Sequence, residues 1–105
     1  MRNVRPLPLN DVNFMKKLRA VIQDTARIQL TSHARERMKT RRISFRQVLE
    51  TLRQGRVCEA AHVTVHGDWK ATLLHQYAGD AVRVVVALRR TNDDDFAVVI
   101  TVIDE

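Results

Sequence analysis

What this chain lacks narrows it first. Cys58 is the lone cysteine in 105 residues, so an internal disulfide is excluded and a reducing, cytoplasmic setting is expected. No C-x-x-C, H-E-x-x-H, G-x-x-x-x-G-K or G-x-S-x-G motif is present. Zinc, nucleoside-triphosphate and serine-hydrolase chemistry therefore have no sequence support, and neither a metal nor a cofactor is expected. Apolar runs such as "VVVAL" are far too short to span a bilayer. The opening "MRNVRPLPLN" has a basic start but no continuous apolar segment, so it is not expected to act as a secretory leader. Internal repeats and low-complexity stretches are missing as well. With 45% hydrophobic and 29% charged residues, the composition is that of one globular domain over residues 1–105 with a single modest core.

What is abundant is positive charge, and it is unevenly placed. The net charge is +6. Residues 33–56 carry eight basic and two acidic side chains, whereas residues 57–105 carry four and eight. An electropositive helical layer beside a more acidic sheet is expected, and it would suit a polyanion or an acidic protein partner.

The hydrophobic pattern changes period along the chain. Pro6 and Pro8 keep the first residues extended. Asn10 or Asp11 caps a helix through about Asp24, with Phe14, Met15, Leu18, Val21 and Ile22 on one face. "RIQLT" (27–31) reads as a short strand. Ser32 is the expected N-cap of a helix of about ten residues, with Arg35 at the position where a capping box would hold Glu or Gln. Ser44 and Gln47 form an S-x-x-Q capping box for the next helix, with Ile43 and Val48 as its hydrophobic staple. Phe45, Val48, Leu49 and Leu52 form that helix's apolar face, and Gly55 ends it.

From Val57 the period is two. Strands are predicted near 57–65, 69–78, 81–90 and 96–103, joined by turns at "HGD", Gly79-Asp80 and "TNDDD". A two-residue turn at Gly79-Asp80 would place Tyr77 opposite Val82, His75 opposite Val84, Leu73 opposite Val86 and Ala71 opposite Leu88, on the core face. The other face would carry Lys70, Arg83 and Arg89. The expected fold class is α+β: an amphipathic N-terminal helix, then a strand, a helical hairpin and a mainly antiparallel four- to five-stranded sheet.

The stretch "TSHARERMKTRRIS" (31–44) carries the candidate chemistry. His33, Arg37 and Arg41 follow each other at i+4, each step advancing about 40° round the helix. They border the apolar strip of Ala34 and Met38, where a cleft between helix and sheet would lie. His33 stands in the first turn, at the positive end of the helix dipole. A neutral imidazole beside fixed guanidiniums is the arrangement that activation of an RNA 2′-hydroxyl needs, with the arginines stabilising charge on the phosphate. The competing reading is that His33 packs or caps locally while the arginines lie around Met38. Arg35, Lys39 and Arg42 point outward as candidate phosphate contacts, and Lys70 and Arg83 are auxiliary ones.

Other residues offer less. His62 and His66 are too far apart along a strand to hold one metal. Cys58 is expected to be a buried strand residue, "NDDD" a solvated hairpin end, and Trp69 and Tyr77 core-facing aromatics.

The segment "IQLTSHARERMKTRRISFRQVLETLRQGRV", followed by "GDWKATL" and "VVVAL…VVITVID", resembles the domain-of-unknown-function family 4258. The likeness runs from Ile28 to about Asp104. It includes Thr31, His33, Ala34, Arg37, Met38, Arg41, Ile43, Ser44, Val48, Leu52 and Gly55. Residues 1–26, the N-terminal extension helix, lie outside the family-like core of residues 27–105. In layout that family is similar to the RelE, ParE and BrnT toxins of type II toxin–antitoxin systems. The resemblance implies a small basic protein that acts on RNA as a metal-independent endoribonuclease and is held by an acidic or DNA-binding antitoxin. The alternative is a non-enzymatic basic module for an acidic protein or a nucleic acid. A homodimer through the apolar stripe of the first helix is a further expectation.

Overall fold

The computed structural model describes residues 8–77, 79–91 and 94–104, the side chains of 77 and 104 excepted. The start around Pro6, the tip at Asn92–Asp93 and the facing of the Tyr77 side chain lie outside it. The described residues form helix α1 (Asp11–Val21), a 3-10 turn (Thr25–Arg27), strand β1 (Ile28–Leu30), and helices α2 (Ser32–Arg41) and α3 (Phe45–Gln54). Strands β2 (Arg56–Val63), β3 (Trp69–Tyr77), β4 (Asp80–Thr91) and β5 (Asp94–Asp104) follow. The sheet order is β1-β5-β4-β3-β2. β1 runs parallel to β5 and the other neighbours are antiparallel. The α+β class and the mainly antiparallel sheet are as the sequence predicts.

One face of the sheet carries the core. Ala71, Leu73, Val82, Val84, Val86, Leu88, Ala97, Val99 and Val102 form a single buried cluster with Phe14, Leu18 and Ile22 of the first helical segment and Val48 and Leu52 of α3. Full burial of each large aliphatic side chain contributes about 1.5–3 kcal/mol. Asn10 caps α1 by accepting from the Asn13 N–H at 2.8 Å. The α1 stripe of Phe14, Met15, Leu18 and Val21 is buried in this chain's own core. The helix ends at Val21, before Asp24, because Asp24 instead caps the 3-10 turn by accepting from the Ala26 N–H at 3.0 Å.

Three local expectations are corrected. The N-cap of α2 is Thr31, not Ser32: Thr31 is extended, and its hydroxyl accepts from the Ala34 N–H at 3.0 Å. Phe45 is 39% exposed because it sits at the very start of α3, beyond the core, and Thr51 is buried on that face instead. In the β3–β4 hairpin Tyr77 pairs with Asp80, so His75 opposes Val82 and Ala71 opposes Val86. The turn thus falls between Tyr77 and Asp80, with Gly79 at φ +84°, and the partners slip by two. An even slip leaves every face assignment unchanged. Gly55 ends α3 as expected, in an extended conformation with φ −68° and ψ 166°.

The joint between α2 and α3 is short and closely bonded. The Ile43 N–H donates to Met38 O at 2.9 Å and the Arg42 N–H to Lys39 O at 3.4 Å, while Arg42 adopts φ 55°, ψ 42°. This is a Schellman closure with arginine where glycine is usual. Arg42→Gly is therefore expected to raise stability by about 0.5–1 kcal/mol, measured as a higher urea midpoint at unchanged slope. The capping box forms as predicted: the Gln47 N–H donates to Ser44 Oγ at 3.1 Å and the Ser44 N–H to Gln47 Oε1 at 2.8 Å.

Candidate nucleic-acid interface

Among the described residues, the helices pack into a cluster with the core face of the sheet and leave its second face bare. Lys70, Thr72, Leu74 and Gln76 of β3 lie there with Arg83, Val85, Ala87 and Arg89 of β4, and with Phe96, Val98, Thr101 and Ile103 of β5. Ala87 and Val98 are 1% and 5% exposed, yet neither belongs to the helix-covered cluster. They form an apolar floor on the face that also carries Lys70, Arg83 and Arg89. Arg89 is tied to Asp68 at 3.2 Å.

Helix α2 packs along β5, at the edge of this face. Thr31 makes the joint. Its N–H donates to Val99 O at 3.1 Å and its hydroxyl donates to Ile100 O at 2.8 Å. Ile100 is the extra residue of a bulge, since Val85 pairs with Thr101 and Val86 with Val99. The bulge brings Thr101 onto the bare face.

Ala34 is fully buried and Met38 packs against the core cluster. On the helix wheel Arg37 and His33 lie on the other side of Ala34 from Met38, the side away from the helix-covered core. His33 and Arg41 are exposed and Arg37 is half-buried. Successive members are about 6 Å apart along the axis. Arg37 Nε is buried without a hydrogen-bond partner, and so is Thr101 Oγ1. Such orphaned groups cost about 1–3 kcal/mol each, and a guanidinium with an open N–H is completed by an anionic oxygen. His33 makes no hydrogen bond or ion pair among the described residues, whereas Arg41 and Arg83 have interactions of their own.

The expected residues therefore fall into three groups. Arg35, Lys39 and Arg42 are exposed on the outer side of α2. His33, Arg37 and Arg41 form the edge. Lys70 and Arg83 are half-buried on the bare sheet face, set apart by four residues of β4, since Lys70 opposes Ala87 and Leu74 opposes Arg83. Among the described residues no group of histidine, cysteine and carboxylate side chains could hold a metal, and no helix is long and apolar enough to cross a membrane.

Strand β2 departs most from the period-two reading. Its register shifts between Val57 and Glu59 and again between Glu59 and His62. Cys58 is the first extra residue and is exposed, not buried. The strand ends at Val63, leaving His66 in the turn rather than on a strand with His62. Glu59 opposes Thr72 and His62 opposes Lys70, so both join Arg56 on the bare face. Strict alternation puts Glu59 and His62 on opposite faces, and a bulge leaves no reliable mark in one sequence. Glu59 is thus the site residue that sequence reasoning missed. "NDDD" is not simply solvated either: Asp94 pairs with Arg27 at 3.2 Å, and the Arg27 guanidinium donates to Asp95 O at 3.4 Å.

Comparison with curated proteins and with solved structures finds no match. A family model does match, over residues 30–104, from the last residue of β1 into the end of β5 and without α1. That span contains the Thr31 joint, the His33–Arg37–Arg41 edge, the Ser44–Gln47 box, Gly55 and the whole four-stranded antiparallel part of the sheet. The chain belongs to the family described as domain of unknown function (DUF4258).

Proposed function

We propose that this protein is a toxin-like, RNA-directed protein of the RelE, ParE and BrnT layout, acting as a metal-independent endoribonuclease. RNA lies across the bare sheet face and against the α2 edge. Arg37 and Arg41 neutralise phosphate, His33 stands beside them as a proton donor or acceptor, and Lys70 and Arg83 add contacts from the sheet. The observation that carries this reading is Arg37: a half-buried guanidinium whose Nε has no partner among the described residues, on an edge that borders the basic face opposite the core. An acidic or DNA-binding antitoxin would cover the same charge.

A second reading has its own support. His33 is exposed and no described residue orients its side chain, whereas acid–base residues are normally held by a third group. On that ground the face is a non-enzymatic module that holds RNA or an acidic protein. Incubation of purified protein with single-stranded RNA in excess EDTA separates the two. Strand scission lost in Arg37→Ala supports the ribonuclease; salt-sensitive association without scission supports the module.

A further inference from the structure

The second reading turns on a missing proton-transfer group, and the bare face holds a pair that the α2 edge does not. Glu59 Oε1 accepts from the Thr72 hydroxyl at 2.7 Å, and Thr72 is only 5% exposed. This fixes the carboxylate and leaves Oε2 open. His62 Nδ1 lies 3.3 Å from Ala60 O, a contact that, as a donated hydrogen bond, aims Nε2 outward. The partners of these two residues on β3, Thr72 and Lys70, are two positions apart. Glu59 and His62 therefore stand about 7 Å apart along one face. Lys70 opposes His62, and Arg56 and Arg83 flank Leu74 in the adjoining row. The bulge that sets this spacing is pinned from α1, where Asp11 Oδ1 accepts from the Ala61 N–H at 2.9 Å.

We propose that Glu59 and His62, rather than His33, are the proton-transfer pair for RNA cleavage on this face, an assignment that rests on the ribonuclease reading above and moves its proton transfer from the α2 edge to the sheet. In-line displacement at phosphorus needs a base on the nucleophile's side and an acid on the leaving group's side, with the phosphate between them. The Glu59 carboxylate takes the 2′-hydroxyl proton as the 2′-oxygen–phosphorus bond forms. The phosphorus–5′-oxygen bond breaks, and the 5′-oxygen takes a proton from the His62 imidazolium. The products are a 2′,3′-cyclic phosphate and a 5′-hydroxyl. Lys70 and Arg56 stabilise the charge on the non-bridging oxygens. The row Glu59–Thr72–Val85–Thr101 crosses the sheet in three strand spacings, about 14 Å, so the α2 edge holds the chain a few nucleotides away from the bond that breaks.

The test is cleavage of a single-stranded RNA oligonucleotide in excess EDTA, with product ends read by mass spectrometry. Wild type is expected to leave 2′,3′-cyclic phosphate ends. Glu59→Gln, which keeps an acceptor for Thr72, and His62→Ala each lose about 100-fold or more at unchanged circular dichroism. Thr72→Val, which removes only the orienting hydroxyl, lowers kcat with KM unchanged. Gln23→Ala, exposed and remote, cleaves as wild type does. An active wild type with Glu59→Gln or His62→Ala cleaving at close to its rate overturns this assignment and leaves the ribonuclease reading standing. A wild type that cleaves nothing overturns both.

Discussion

Gly55→Ala is expected to cost about 3 kcal/mol or more of stability, a large share of the 5–15 kcal/mol that a domain typically has. The reason is space, not backbone conformation. Gly55 has φ −68° and ψ 166°, values any residue adopts. A Cβ there would lie 2.4 Å from Thr51 O and 3.0 Å from Leu74 O. Both are main-chain atoms, and neither is free to retreat. The Gly55 N–H donates to Thr51 O at 2.8 Å, and β3 is paired on both sides at Leu74. The Arg19 guanidinium clamps the same corner, donating to Arg53 O at 3.0 Å and Gly55 O at 3.4 Å. An alanine must push α3 off the sheet edge. Urea unfolding followed by circular dichroism should show the loss, and a change under 1 kcal/mol would show that this corner yields.

Arg37→Glu is expected to weaken binding of single-stranded RNA by about 10- to 100-fold at moderate salt, and to lower the salt slope by roughly one. The substitution removes a phosphate partner and places a carboxylate where the account puts the backbone. Its control is Lys16→Glu, with the same change in net charge at an exposed position on α1, on the far side of the core. That variant should change affinity much less. Equal losses in the two would mean that RNA senses only the overall charge, and not this edge.

How much of this was legible in the sequence depended on the kind of information each residue carries. The α3 capping box was readable because Ser44, Gln47, Ile43 and Val48 stand at fixed offsets that one local geometry uses. The two faces of β3 and β4 were readable because alternation survives an even slip in register; the partners themselves were not, because the turn fell one residue earlier than Gly79-Asp80 suggested. The His33–Arg37–Arg41 edge was legible from helix geometry alone, and its place beside the core followed from Ala34. Thr31 and Ser32 are adjacent hydroxyls, and only the Ile100 carbonyl, sixty-nine residues away in sequence, makes Thr31 the cap. Glu59 was hidden by the bulges of β2, which are set by pairing with β3 and by Asp11 from α1. Gly55 was readable as the end of α3, but its requirement comes from two carbonyls, one of them on a distant strand.

On the proposed function, one surface, the bare sheet face with the α2 edge, receives RNA. Titration of isotope-labelled protein with a 2′-O-methyl RNA oligonucleotide, which lacks the nucleophilic hydroxyl, tests it by NMR shift mapping. Shifts are expected at His33, Arg37, Thr101, Lys70, Thr72, Glu59 and His62, fading as salt is raised. Shifts confined to the outer faces of α1 and α3, or none at any ratio, would contradict it.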